Sequence, residues 1–504
     1  MQAPLTQRAI EYGWRELTRR AGFAEDDGKG PERRAPGLSF HYGQPEDLRG
    51  ERPAVVVVPC EPADWRRLLE LPDGRLETMP VEGALPPGAA ALPIDPLPIL
   101  FRGRGSNAGG VFATRIGRTV VFECDLIASA LFLLCRWEET VVSVRDEHGR
   151  MPFTESVSYR QGFLERPLID EYGLLLREWL KQLLPGWVPA AGRFAVKLSH
   201  DVDVVRPFST MRSAAKLIAG DLVRRRNPAR ALSTARLAAL QRVAPRRMTY
   251  YEDIFRLAEI SRRHGMASAF YFMAARAGPY DSGYDPGSRP IREAIRKLED
   301  LGFEIGFHPG YDTFANPARL AEEKSRLDAV LGRSRYGGRQ HYLRFRVPET
   351  WRDWERMGLA YDSTMTYAGH EGFRCGTCHS YYPFDIEADR VLDIQELPLV
   401  VMDGTLRQYR GLAPLEGEGR ILELARRCRD VEGTFTLLWH NSSLSGEWAS
   451  WGSNYETLVR KLSELEGRST SESHSEADSP EEDSINTGAA SRWSPKGAQS
   501  GRMR

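Results

Sequence analysis

From residue 250 onward the chain alternates helical patterns with short apolar runs, and few chain folds satisfy that rhythm. Helical spacing over 251–265, 290–301, 316–331 and 348–357 precedes the apolar runs 266–273, 303–308, 338–343 and 359–364. A last run, ThrPheThrLeuLeuTrpHis, covers 434–440. Helices alternating with strands, mostly without hairpin turns between them, predict a parallel sheet in an α/β fold. At this length a closed or nearly closed β/α barrel is the expectation. The run that opens the region, PheAlaValLysLeuSerHisAspValAsp at 194–203, reads as a buried strand delivering Asp201 and Asp203 at its carboxyl end. That end of a parallel strand is where such folds place their chemistry.

Strand geometry sharpens the point. Side chains at i and i+2 share a face, so both carboxylates enter one pocket. Two carboxylates this close do not both ionise without a cation or other donors between them, and a metal is the simplest such partner. Other strand ends add matching groups. His308 ends GluIleGlyPheHis, with Asp312 four residues on. Arg339 and Tyr342 sit in ArgGlnHisTyr, Asp362 in TyrAspSerThr, and His440 ends the last run.

Residues 1–188 read as a separate, smaller α/β or α+β unit. Its signals are a helix near Ile10–Leu17, strands at 53–60 and 119–125, a helix at 125–140 with Asp125 as N-cap, and a helix at 169–184. ProGlyTrpValProAlaAlaGly, 185–192, reads as the linker to a second unit over 189–466. The glycines of 103–110 match neither a dinucleotide nor a P-loop spacing and read as a turn. Residues 467–504, Ser/Glu/Asp/Gly-rich, read as a disordered tail.

Composition excludes some classes. Lys+Arg and Asp+Glu both total 69, so net charge makes no case for wholesale nucleic-acid or membrane binding. The N-terminus lacks an apolar signal region and the six cysteines suit a reducing compartment, so the expected location is the cytoplasm. One stretch departs from balance. Arg206 to Arg247 holds eleven Lys/Arg and one acid, Asp221, at helical spacing. It reads as a helical hairpin with a solvated basic face, or as a contact for anionic lipid headgroups or an anionic glycan.

The ordered motifs resemble the NodB-homology polysaccharide deacetylases, carbohydrate esterases with a distorted (β/α) barrel. SerHisAspValAsp, 199–203, is similar to their first motif. GluIleGlyPheHisProGlyTyrAsp, 304–312, is similar to their H-x-x-x-H motif, with Asp in the fifth place. ArgGlnHisTyr, 339–342, is similar to R-x-P-Y, and Leu438-Trp439-His440 to L-x-H. No D-x-x-D-W fourth motif is found. The resemblance covers about 190–465 and implies a bacterial hydrolase removing an N- or O-acetyl group from a sugar, in surface or exopolysaccharide synthesis. It implies a divalent metal, usually zinc, on Asp203 and His308, with Asp312 where the second histidine would stand. It implies Asp201 as base, Arg339 orienting it, the Tyr342 N–H on the oxyanion, and His440 as acid. His341 and His379 are the other histidines able to complete the ligand set. The alternatives are a glycan-binding protein of the same fold without the metal, and a hydrolase of another C–N bond.

CysGlyThrCysHis, 375–379, matches a c-type haem attachment pattern, but in a reducing compartment it reads as loop cysteines or a local zinc site. No Gly-x-Ser-x-Gly elbow supports a serine esterase.

Overall fold

Strand Ala195–Val202 lies at the centre of a five-stranded parallel sheet. In space the order is Val401–Met402, Thr434–Leu438, Ala195–Val202, Ala267–Met273, Glu304–His308. The computed structural model describes residues 5–23, 37–49, 52–106, 109–208, 211–244 and 249–474, with side chains to 467. Past Glu304–His308 the parallel register continues through single bridges, Phe307 to Gly338 and Gly338 to Asp362. Tyr361–Asp362 then pairs in parallel with Gln395–Glu396. Segment 395–402 bonds to both ends of this arrangement, at Leu397 N–H to Asp362 and at Val400 N–H to Thr436. Helices Thr249–Arg263, Arg289–Asp300, Pro317–Leu331, Glu349–Arg356 and Pro414–Asp430 connect the strands. The architecture is α/β.

The expected strand at 338–343 is reduced to the bridge at Gly338, followed by a tight turn over His341–Leu343. Gly338 is required there, because a Cβ would sit 2.1 Å from the Phe307 carbonyl oxygen. Tyr342 and Leu343 take left-handed backbone angles, φ 58° and 53°, which turn the chain out of strand geometry. The expected helix over 125–140 divides into Leu126–Leu134 and Trp137–Val141, with Arg136 left-handed between them. Asp125 caps the first piece, accepting from Ala128 N–H at 2.8 Å.

The N-terminal residues build a second sheet. Ser39–Tyr42, Ala54–Val57 and Thr119–Phe122 run parallel, and Ala113–Ile116 joins antiparallel. Helices Gln7–Arg20, Leu126–Leu134 and Leu168–Leu183 pack together beside it. The middle helix is apolar all round and wholly buried. The final helix, Ala449–His474, passes the expected start of the tail at 467. Its earlier turns are anchored by buried Trp451, Tyr455, Leu458 and Leu462, and extending an established helix is far cheaper than starting one. Residues 475–504 lie outside the described residues, as do parts of two other expected features, the turn at 103–110 and the basic insert at 206–247.

Candidate metal and hydrolytic site

Five strand ends meet at one point. Asp201 is 2% exposed, and Arg339, fully buried, donates to its Oδ1 at 2.8 Å. The same guanidinium donates to Ser199 Oγ, Ser363 Oγ and the Ser363 carbonyl. Every one of these bonds fixes the fork, so the Asp201 carboxylate has one orientation. Tyr271 covers the guanidinium face at 5.1 Å.

His308 and His341 are each held by Nδ1. His308 Nδ1 lies 2.7 Å from the Arg339 carbonyl oxygen, which can only accept, so Nδ1 carries the proton. His341 Nδ1 lies 2.8 Å from Asp281 Oδ1, and a carboxylate likewise holds the proton on Nδ1. Both Nε2 lone pairs are thereby left free, as in carboxylate– and carbonyl–histidine–metal arrangements. They face Asp203, His308 Nε2 at 3.1 Å and His341 Nε2 at 3.9 Å from Oδ1. Asp203 Oδ1 and His308 Nε2 are buried without a hydrogen-bond partner, a combination that a bound water or a cation would satisfy. The ligand atoms of Asp203, His308 and His341 lie within 4.8 Å of one another and could hold a metal ion. Burial alone would push the Asp203 carboxyl up; positive charge on the facing His341, His308 and His440, when protons rather than a metal take their Nε2 lone pairs, holds it well below the usual carboxylate range.

His440 completes the site from the other side of Asp203. Its Nε2 is 3.7 Å from Asp203 Oδ2. Its Nδ1 is 2.6 Å from Asp403 Oδ1, and its backbone N–H donates to Asp403 Oδ2 at 2.9 Å. Burial works against the imidazolium, but Asp403 overrides it and raises the His440 pKa to about 10. Asp403 is fully buried at the start of a π-helical turn, Thr405–Tyr409, a local irregularity frequent at functional sites.

Asp312 is a correction. It lies in the turn Tyr311–Thr313, its side chain 53% exposed and paired with Arg319 at 3.3 Å. The turn carries it outward, and His341 stands in the cluster instead. Two residues had no motif to announce them, Asp281 and Asp403. Asp403 carried one usable signal, since it closes a short apolar run as Asp201 does. Tyr342 is adjacent to the cluster, its ring 4.8 Å from that of His341. Asp362 lies outside the cluster, buried with raised pKa, chiefly by desolvation, against Glu396.

Residues of the N-terminal unit reach the rim. Arg150 donates to the Tyr342 carbonyl at 2.8 Å and is held by Asp146. His148 Nδ1 meets Tyr311 OH at 3.1 Å. Tyr280 stacks on Tyr311, centroids 4.0 Å apart, beside Tyr342.

Two further groups have ligand-type side chains in proximity: Asp170, Cys378 and His379; and Glu165, His370 and Glu371. Glu371 Oε1 accepts from Arg410 and Arg420, so two guanidinium cations already neutralise that carboxylate, although its Oε2 is buried without a hydrogen-bond partner. Cys375 and Cys378, of the haem-like pattern, are buried thiols pushed up by desolvation, Cys375 to about 12.

Residues 86–185 match a family described as a family of unknown function, DUF7033. No curated protein matches the chain. Among solved structures, a "putative polysaccharide deacetylase from Mycobacterium smegmatis" is 16% identical at TM-score 0.36, over 60% of this chain and 98% of that one. A "putative glycoside hydrolase/deacetylase from parabacteroides distasonis" is 13% identical at TM-score 0.31, over 56% and 68%. Likeness of this degree assigns no activity, so the chemistry rests on the cluster itself.

Proposed function

We propose that the protein is a metal-dependent hydrolase that removes an acetyl group from a sugar. The observation that carries this is the pair of histidines anchored by Nδ1, with free Nε2 atoms facing an unpartnered Asp203 oxygen, between two further acid–base groups. Two histidines and one carboxylate, with room for a further ligand, form a donor set suited to zinc. A cation held there supplies Lewis-acid polarisation of an acyl oxygen and a lowered water pKa.

The chain's own residues supply the rest. Asp201, locked by Arg339, takes the proton from the attacking water. His440, kept cationic by Asp403, gives a proton to the leaving nitrogen or oxygen, without which an amine leaves poorly. The left-handed turn at Tyr342, fixed by Arg150, offers the Tyr342 backbone N–H toward the acyl oxygen, since those of His341 and Leu343 are bonded to the Pro309 and Gln340 carbonyls. The tyrosines at 280, 311 and 342 offer ring faces against which a sugar can pack. We read the strands as a distorted (β/α) barrel and place the enzyme in the bacterial cytoplasm, acting on a nucleotide- or lipid-linked precursor of a surface polysaccharide.

Elemental analysis of the purified protein, followed by acetate release from a panel of N- and O-acetylated sugars, tests this. Stoichiometric metal with acetate release supports it. A protein that takes up no zinc, manganese or cobalt is a glycan binder, and metal without acetate release on any sugar points to another C–N bond.

A further inference from the structure

The helical hairpin that follows Asp203 is packed inside out. Its helices, Met211–Val223 and Pro228–Val243, meet through small residues. Ala214, Ala231 and Ala238 are buried, with Phe208 packed on Ala214 and Ala238 at the base. The large apolar side chains face outward. Leu217, Leu222, Val223, Leu232, Leu240 and Val243 are all exposed, Val223 at 75% and Val243 at 79%. A hairpin stable in water normally buries leucine and exposes alanine, because burial of the larger side chain contributes more. Exposed apolar side chains in such a group mark an interaction surface.

The charge on the hairpin names the partner. Residues 211–243 carry eight Lys/Arg and one acid. That acid, Asp221, is buried and covered by Arg225 at 2.7 Å and Arg230 at 3.4 Å, so every charge the hairpin presents is positive. Arg224, Arg225 and Arg226 form the tip, directly after Leu222 and Val223. A second copy of the chain would set arginine against arginine. An anionic glycan would engage the arginines and leave the leucines in water. An anionic bilayer satisfies both, with phosphates at the arginines and the leucines in the headgroup–acyl boundary.

We propose that the 211–243 hairpin docks the protein peripherally on anionic lipid bilayers. The contact is interfacial, since among the described residues no helix is long and apolar enough to cross a membrane. It is independent of the hydrolase reading, although the hairpin leaves the sheet just after Asp203 and so brings the strand end carrying the site toward the same surface.

Vesicle co-sedimentation of the full chain tests it, with phosphatidylcholine vesicles with and without phosphatidylglycerol. Wild type is expected to bind only the anionic vesicles, and less at high salt. Arg224→Gln/Arg226→Gln/Arg236→Gln is expected to weaken binding roughly a hundredfold, at about one decade or slightly less per surface arginine. Leu222→Ser/Val223→Ser, with every charge retained, is expected to weaken it roughly tenfold or more. All these side chains are exposed, and unchanged thermal melts confirm folding. No binding by wild type overturns the proposal, as does equal binding to phosphatidylcholine alone. Full binding by the serine variant overturns it in favour of an anionic polymer. A dimer in sedimentation velocity that the serine variant abolishes, without vesicle binding, overturns it in favour of self-association.

Discussion

Asp203, His308 and His341 form one cluster of ligand-type side chains, and Asp170, Cys378 and His379 form another of similar span. Their residue types would rank the second as highly as the first, since thiolate, imidazole and carboxylate are all good ligands. Their hydrogen bonds separate them. Asp170 Oδ1 accepts from Arg20 Nε at 2.7 Å and Thr377 Oγ at 2.6 Å, and Oδ2 accepts from Cys378 N–H at 2.8 Å. His379 donates its Nε2–H to the Val431 carbonyl at 2.9 Å. The Arg20 cation already neutralises Asp170, and Glu16 neutralises Arg20 in turn. In the first cluster the donors lie behind the ligands, at Asp281 and the Arg339 carbonyl, and the lone pairs converge on a common point. The first cluster is thus distinguished as the candidate metal site by where its lone pairs face. The second cluster is a clasp joining helix Gln7–Arg20 and helix Leu168–Leu183 to the loop of 375–379.

The largest effect is expected from opening the first cluster. His308→Ala should reduce bound metal to background and lower acetate release by roughly a thousandfold or more, while circular dichroism stays native. Asp170→Ala should do the reverse. It leaves Arg20 with Glu16 as its remaining carboxylate and strips Thr377 Oγ1 and Cys378 N–H of their acceptor, and it should cost about 3 kcal/mol in urea denaturation, with metal content unchanged.

Acid titration tests the same clasp. Burial opposes the Glu16 carboxylate, but Arg19, Arg20 and Arg15 outweigh it and lower its pKa to about 2. A carboxyl depressed on folding adds stability above its unfolded value near 4.5 and loses it as pH falls through about 2. Glu16→Gln should remove about 3 kcal/mol at pH 7 and flatten the stability profile over that window. Smaller still is the expected effect of Asp281→Asn, which weakens the hold on His341 and should reduce metal affinity about 10- to 100-fold, read by competition with a chelator. Asp312→Ala should change neither metal content nor activity measurably; loss of metal in that variant would return the third ligand to the H-x-x-x-D pattern.

Much of this was legible in the residues. The alternation after 250 gives parallel strands, and period-2 geometry sets Asp201 and Asp203 on one face whatever the loops do. A polar residue closing an apolar run, as at His308 and His440, lies at a strand end for the same local reason. The third member of the cluster was not legible. Asp312 and His341 are both near enough in sequence to serve, and the choice between them depends on the turn after Gly310 and on left-handed backbone at Tyr342 and Leu343. Asp281 and Asp403 lie in loops whose positions come from packing against strands distant in sequence. The basic hairpin shows the same division. Its charge and helical spacing are properties of the chain, but which helix face is buried was settled when Ala214 and Ala238 packed under Phe208. Local periodicity determines which side chains share a face, whereas the partner of each face is chosen by contacts between distant segments, which no short stretch of sequence encodes.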